Sequence, residues 1–417
     1  MSIEYRTISA DEFPAFAEAD TVAFGVSMNE QDLAAEVLAL EFDRTVAAFE
    51  CARIVGTTAT LSLDLTVPGG RIVPAGGLTW TGVLPTYRRR GLVRAMIARQ
   101  LDLSNERGEP VNILQASEST IYGRFGYGTA TYELGLSLDT AHAAFRPEAP
   151  SEPAGARFEV VDDAAAFPVL SSVFQSFRLR IPGTVGRSEA LWRSYLADPE
   201  HHRDGASAMF HVLHLDASGD PDGYVSYRMM ENWERGVPKG ELFVQELMAG
   251  TPVAHAALWR YCLDMDLVAA VRTAHAPVDE PLRWLLRDPR RLGVDRLNDG
   301  LWVRILDVPA ALGARSYCEA GGGPGDALVF EVFDAFRPTT ARRYLLDAGP
   351  DGAQCSRTTR SADVALDISD LGATYLGAVD FSALVRAGRI RELTEGAAAR
   401  ADALFRTERA PWCSTHF

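Results

Sequence analysis

Apolar positions along the 417-residue chain follow two periods, and the places where one gives way to the other mark its elements. Residues 4–8 read as a short strand. Ser9 and Glu12 then stand in a capping-box pattern, and Phe13, Phe16 and Ala17 line one face of the helix it opens. A second helix follows, with Asn29 at its N-cap and Leu33, Val37 and Leu38 as its stripe. Phe24 and Gly25 interrupt the pattern between the two. Residues 45–66 are rich in β-formers and turn at 53–56 and at Pro68-Gly69-Gly70, which predicts antiparallel hairpins leading into a strand that ends at Val83.

Leu84-Pro85 closes that strand, and Arg88-Arg89-Arg90-Gly91 opens a helix whose apolar face is Leu92, Val93, Met96, Ile97 and Leu101. That helix stops near Gly108 and Pro110, and residues 111–116 form a short apolar strand of the kind found inside a sheet. Ser117 or Ser119 is placed to cap a short helix carrying Tyr122, after which Tyr132, Leu134, Leu136 and Leu138 alternate as the last strand of this unit. A Pro- and Ala-rich stretch at 145–156 reads as a linker. Beyond it, strands at 223–229 and 241–248 and a helix at 255–268 repeat the same order, a weak internal duplication. A strand at 301–307 and a short helix at 309–315 follow, then a strand at 327–333 and helices at 381–387 and 397–405. The glycine-rich run at 321–325 has no following helix to make it a phosphate loop and reads as a flexible turn.

The turn at 88–91 is where pattern becomes chemistry. A helix start carries partial positive charge, so three arginines there oppose the dipole and each other. A bound anion would remove the conflict, and free N–H groups, a missing side chain at Gly91 and guanidinium groups together suit a pyrophosphate. The Lys and Mg-binding hydroxyl of a nucleotide-triphosphate loop are absent. The other reading is a solvated basic helix start. In the repeat, the same position holds Met248-Ala249-Gly250-Thr251-Pro252, which offers no cationic cradle.

Composition narrows the class. Length allows two or three domains, and 47% hydrophobic residues with a mean hydropathy of −0.05 describe a soluble globular protein. No apolar run approaches the roughly 20 residues of a membrane span, and the first residues lack a signal peptide's basic and apolar regions, so the expected location is cytoplasmic. Five scattered cysteines form no CxxC pair, and neither disulfides nor a metal site is indicated. A net charge of −15 argues against nucleic acid and fits cationic small molecules, although solubility alone would also account for it.

Strand, arginine–glycine turn and helix, in this order, resemble the acetyl-CoA motif of the GNAT N-acetyltransferases. Two residues after the motif glycine that superfamily usually has Gly or Ala, whereas this chain has Val93. The Eis-like (enhanced intracellular survival) acetyltransferases accept a larger residue there. The resemblance to them extends to ASESTIYGRFGYGTAT at 116–131, to DGLWVRILDVPAAL at 299–312 and to the terminal Thr415-His416-Phe417. It implies a mixed α/β (α+β) fold: a catalytic GNAT domain at 1–150, a degenerate GNAT-like domain at 151–298, and a sterol-carrier-protein-like α+β domain at 299–417.

The resemblance also implies roles. Thr81, Gly82 and Val83 would hold the pantetheine arm, with the Val83 N–H as oxyanion donor. Arg89, Arg90, Gly91, Leu92, Val93 and Arg94 would surround the pyrophosphate, and Ser117 and Glu118 would complete the acetyl-CoA contacts. Tyr122 matches the general acid, where the residues alone leave an ordinary core tyrosine open. The α-carboxylate of Phe417 matches the general base, with His416 as a titratable neighbour able to relay the proton. Thr79 and Trp80, on the same strand, and Phe24, from the helix connection, are candidates for the acceptor wall. The implied reaction is direct acetyl transfer to amines of cationic acceptors, aminoglycosides or lysine side chains, by a homohexamer. A non-catalytic acyl-CoA or lipid-binding module is the rival, but a pure binder has no reason to keep Tyr122 and a fixed chain end beside the arginine turn.

Overall fold

The computed structural model describes residues 3–318, 327–349 and 352–417, so the glycine-rich turn expected at 321–325 lies outside the described residues. The chain divides into two units: residues 1–131, 181–186 and 299–417 form one, residues 132–180 and 187–298 the other.

The first unit begins with β1 (Ile3–Arg6), α1 (Phe13–Phe24) and α2 (Glu30–Glu36), where Asn29 caps α2 by accepting from the Asp32 N–H at 2.9 Å. Then come β2 (Ala47–Glu50), β3 (Arg53–Thr66), β4 (Ile72–Val83), α3 (Leu92–Glu106), β5 (Val111–Gln115), α4 (Ser119–Tyr122) and β6 (Gly128–Thr129). The residue before α4 is Glu118, so neither serine expected as its cap fills that place. β2, β3 and β4 pair antiparallel, and β4 pairs parallel with β5. Helix α1 packs Phe13, Phe16 and Ala17 onto this sheet together with Val55, Ala59 and Val83.

The second unit opens with β7 (Tyr132–Asp139). The alternation of this segment was legible, but its partner was not. β7 pairs with a strand of the second sheet, and the first sheet is extended instead by residues 301–305. A period-2 pattern fixes which side chains share a face and leaves the neighbouring strand open. The unit continues with β8 (Arg157–Val161), α5 (Asp163–Arg178), α6 (Glu189–Ala197), β9 (Phe210–Leu215) and β10 (Pro221–Met230). A small hairpin of β11 (Trp233–Glu234) and β12 (Val237–Pro238) precedes β13 (Gly240–Ala249), α7 (Pro252–Leu263), β14 (Val268–Pro277), α8 (Leu282–Leu285) and β15 (Gly293–Asp299). Helix α7 thus ends five residues before Val268, the end point expected from sequence. The Pro- and Ala-rich stretch is no loose tether: Phe145 bridges Leu286 and carries the Arg260 guanidinium over its ring at 3.8 Å.

The chain returns to the first unit with β16 (Leu301–Ile305), antiparallel to β5 and β6. α9 (Val308–Ala314) follows, then a five-stranded sheet of β17 (Leu328–Phe333), β18 (Arg343–Gly349), β19 (Gly352–Arg357), β20 (Val364–Asp367) and β21 (Arg391–Glu392), with α10 (Ile368–Thr374), α11 (Phe381–Arg386) and α12 (Ala397–Phe405). Two glycines let this C-terminal part seat on the first sheet. A Cβ on Gly128 would lie 1.9 Å from the Ser369 carbonyl oxygen, and one on Gly372 2.3 Å from that of Val303, so α10 crosses β6 and β16 backbone to backbone. Beside that crossing the buried Arg304 guanidinium donates to Asp334 at 2.5 Å. No helix among the described residues is long and apolar enough to cross a membrane.

Candidate active site

Strands β4 and β5 pair only from Ala75–Val111 to Gly77–Ile113, although both run on, to Val83 and to Gln115. The cause lies in β4 itself. Its register against β3 shifts between Thr57 and Ala59, and Trp80 takes φ 51°, so an extra residue bends β4 away from β5. Beyond Gly77, where the wedge opens, no strand among the described residues pairs with that edge of β4. Thr81 stands on this edge, its Oγ1 3.1 Å from that of Thr58, and the Gly82 N–H donates to Thr57 Oγ1 at 3.2 Å.

At the far end of β4 the arginine turn leads into α3. Arg89 and Gly91 are both left-handed, with φ 63° and 81°. A left-handed arginine costs about 1–2 kcal/mol. Gly91 is the N-cap and brings no side-chain acceptor to the helix start, and a Cβ there would meet no protein atom within 4 Å. The glycine therefore serves its backbone angle and not a packing constraint. Arg88, Arg89 and Arg90 are exposed; Arg88 donates to the Ala23 carbonyl at 2.7 Å and Arg90 to that of Thr86 at 3.0 Å. Leu92 is buried, and Val93 packs half-buried against the core, so the larger side chain at that motif position points away from the turn.

Tyr122, at the end of α4, is 6% exposed and meets Tyr127 edge to face at 6.0 Å. Burial raises its phenol above the ordinary value and the Asp20 charge adds to the rise, while hydrogen bonding with Ser117 and Thr81 pulls the other way. The phenol thus holds its proton through neutral pH and stands against Thr81 on the wedge. Ser117 and Glu118 are exposed just before α4.

Phe417 comes to the same sheet. Residues 182–186 lie along the end of β3, with Thr66 N–H donating to Thr184 at 2.9 Å and Gly186 N–H to Asp64 at 2.8 Å. The terminal segment rests on them: Thr415 Oγ1 donates to the Val185 carbonyl at 2.8 Å, and Gln115 Nε2 donates to the Thr415 carbonyl at 3.3 Å. Trp412, Cys413 and Thr415 are buried, His416 is exposed and Phe417 half-buried. The Phe417 ring lies over β4, 3.0 Å from where a Cβ on Gly77 would stand.

Of the acceptor-wall candidates, Thr79 is half-buried opposite Ala59. Trp80 packs at 5.8 Å against both Phe13 and Phe16 of α1. Phe24, 49% exposed, ends α1.

Asp20 escaped the sequence reading. It lies on the inner face of α1, is 8% exposed, and accepts from Thr57 Oγ1 at 2.9 Å. Its Oδ1 is 2.8 Å from the Cβ position of Gly82, so any larger residue there would collide with the carboxyl. Burial pushes this carboxyl up to about 6, the Thr57 hydrogen bond opposes the shift and the Glu36 charge adds to it. The one signal in the sequence was a charge on the stripe of Phe13, Phe16 and Ala17. Asp20 and Phe417 share a face of the sheet, since the Cβ positions of Gly82 and Gly77 point at Thr57 and Leu63, which alternate to the same side of β3. Gly82 pairs with Thr57 and Gly77 with Leu61, which sets the two on the order of 13 Å apart along the strand.

Residues 4–130 and 183–305 each match an acetyltransferase (GNAT) domain family, and residues 308–414 a sterol carrier protein domain. An uncharacterized N-acetyltransferase of Streptomyces avermitilis is 38% identical over 99% of both chains. The N-acetyltransferase Eis of Mycobacterium tuberculosis is 36% identical over 85% of this chain and 84% of its own. Eis1 from Mycobacterium abscessus superposes over the whole of both chains with a TM-score of 0.86 at 32% identity. The chain belongs to the Eis-like GNAT N-acetyltransferases. It is an enzyme of that kind, with two GNAT domains in tandem followed by a sterol-carrier-like domain.

GNAT domains use acetyl-CoA, and the two corresponding helix starts of this Eis-like chain differ. Helix α7, the counterpart of α3, begins with Thr251, whose Oγ1 accepts from the Ala254 N–H at 3.0 Å. Thr251 thus takes one N–H of that start, whereas Gly91 brings no side-chain acceptor to the start of α3.

Proposed function

We propose that the chain transfers the acetyl group of acetyl-CoA directly to primary amines of cationic, multiply charged acceptors of the aminoglycoside kind, with lysine side chains as a second acceptor class. The observation that carries this reading is the wedge beyond Gly77, with an open helix start at one end and buried Tyr122 alongside. Thr81, Gly82 and Val83 hold the pantetheine arm along the free edge of β4, and the Val83 N–H faces the thioester oxygen. The N–H groups of Gly91, Leu92, Val93 and Arg94, with the guanidinium groups of Arg89 and Arg90, take the pyrophosphate; Ser117 and Glu118 flank it.

The Phe417 carboxylate removes a proton from the acceptor ammonium, and the freed amine adds to the thioester carbonyl while the Val83 N–H supports the developing oxyanion. The C–S bond then breaks, Tyr122 gives its proton to the leaving sulfur, and the second proton lost by the nitrogen restores the phenol. The products are the acetamide and CoA thiol, with one proton released to solvent as the two residues reset. Asp20, whose carboxyl lies against Gly82, the residue before the oxyanion donor, is the buried anion against which a second ammonium of the acceptor rests. A carboxyl beside Gly82 and the chain end beside Gly77 favour acceptors with more than one amine. Thr79 lies between them on this face, and the exposed Phe24 and half-buried Trp80 stand on the α1 side. A net charge of −15 draws such acceptors in. A homohexamer in the cytoplasm completes the proposal by likeness to the family.

The test is release of CoA thiol from acetyl-CoA across polyamines, aminoglycosides and lysine peptides. Turnover with at least one multiply charged amine is expected. Tight acetyl-CoA binding with no turnover on any acceptor would leave a non-catalytic acyl-CoA module in its place.

A further inference from the structure

A cavity of about 540 Å³ opens from the arginine turn along the outer side of α3, and its other wall comes from the C-terminal sterol-carrier-like part. Gly91, Arg94 and Asp102 line the helix side, and Phe336, Arg337 and Thr339 the other. Its size lies within the range of ordinary small-molecule pockets, about 300–1,000 Å³. The Arg94 guanidinium stands 4.8 Å over the Phe336 ring, and Phe336 meets Phe125 edge to face at 5.1 Å, so this wall is a fixed aromatic and guanidinium platform. Arg337 reaches Asp102 at 2.7 Å, with side-chain exposures of 20% and 59%.

Resting on the acetyl-CoA reading of the arginine turn, we infer that this cavity takes the 3′-phosphoadenosine end of the CoA substrate, with Arg337 of the C-terminal part reading the 3′-phosphate. Gly91, where the pyrophosphate is placed, lines the cavity, so the nucleoside that follows it has this space to enter. Adenine finds the Phe336 and Arg94 platform, a setting that suits a flat aromatic base. The 3′-phosphate, a dianion, meets Arg337 and Arg94. Asp102 is the objection, since a carboxylate repels phosphate. Its side chain is mostly exposed, an ion pair of that kind is weak, and a guanidinium gives it up readily for a bidentate phosphate contact. Asp102 then acts as a placeholder that neutralises Arg337 while the cavity is empty. The sterol-carrier-like part, on this account, builds half of the donor site as well as carrying the chain end to β4.

Calorimetric titration of the full chain with CoA and with 3′-dephospho-CoA tests this without an acceptor. The wild type is expected to bind CoA at least about tenfold more tightly, the scale of one charge-assisted contact. Arg337→Ala should bring the ratio to within about twofold and leave 3′-dephospho-CoA binding unchanged; Asp102→Asn should widen it. Arg89→Ala, at the pyrophosphate, should weaken both ligands alike. Equal binding of the two ligands by the wild type, or an unchanged ratio in Arg337→Ala, overturns the inference while the acetyl-CoA reading stands. Binding of neither ligand overturns that reading and this inference with it. If Arg337→Ala loses 3′-dephospho-CoA binding too, an unchanged ratio in Asp102→Asn refutes the inference.

Discussion

Replacing Asp20 by asparagine should make the protein more stable and a worse enzyme. The carboxyl is 8% exposed and its pKa is pushed from the ordinary 3.8 up to about 6. A folded-state pKa above the unfolded one means that the folded chain binds this proton more tightly. The group's contribution is then fully favourable below about pH 4, is lost as pH rises through 6, and stays lost above it. The difference, 6 − 3.8 = 2.2, corresponds to about 3 kcal/mol of destabilisation at pH 7.5. Asparagine keeps an oxygen for the Thr57 hydroxyl and carries no charge to bury, so Asp20→Asn removes that loss. Urea unfolding of both proteins at pH 4 and pH 8 should give similar stabilities at the lower pH and a gain of about 2–3 kcal/mol for the variant at the higher one. The same variant should raise the acceptor KM about tenfold while leaving the acetyl-CoA KM within about twofold, since one anionic partner of the ammonium is gone. Asp370, also raised to about 6 by burial, adds a background of the same sign in both proteins and cancels in the comparison. A variant that is less stable than wild type at pH 8 would refute the reasoning, because it would mean that a cation in the fold already balances Asp20.

Three further outcomes are expected. Arg89→Ala or Arg90→Ala should raise the acetyl-CoA KM at least tenfold, each charge-assisted phosphate contact being worth roughly 1.5–3 kcal/mol; steady-state kinetics with both KM values unchanged would move the cofactor elsewhere. Tyr122→Phe should lower kcat about 100-fold with CoA affinity preserved, and a near wild-type kcat would return Tyr122 to plain packing against Tyr127. Deleting Phe417 or appending a short C-terminal tag should abolish turnover with the melting temperature little changed, while Phe417→Leu, which keeps the carboxylate, retains substantial activity; full activity in the extended protein would leave His416 as the base to examine.

What could be seen beforehand followed the physics of each signal. The arginine turn was legible because three charges opposing a helix dipole are a local conflict, visible in four consecutive residues. The chain end carried a local signal as well, since Trp412 and Cys413 are apolar where most ends are polar; both are buried, while His416 is exposed and Phe417 half-buried. Asp20 was not legible, since its meaning depends on Thr57 and Gly82, 37 and 62 residues further along. The bulge at Trp80, which opens the wedge, was also invisible: it needs a left-handed tryptophan, a conformation that no residue-type preference would suggest. Strand pairing was the largest gap. β7 was recognised as a strand, but its exchange for β16 in the first sheet is decided by packing between segments about 170 residues apart.

That exchange also explains why the chain end can reach the first sheet at all. β16 pairs with β5 over Leu301–Gln115 to Ile305–Val111, which returns the chain to the first unit immediately before the sterol-carrier-like part begins. Gly128 and Gly372 then lock α10 against β6 and β16, and buried Arg315 donates to the carbonyls of Tyr375 at 2.6 Å and Phe405 at 2.9 Å, tying α9 to the ends of α10 and α12. The last twelve residues start from that fixed point and run to Val185 and Gln115. Had residues 132–139 stayed in the first sheet, β16 would have had no place beside β5, and the C-terminal part would have lost the surface on which it sits. The second GNAT domain, whose α7 start is capped by its own threonine, contributes β14 as the partner that draws β7 away.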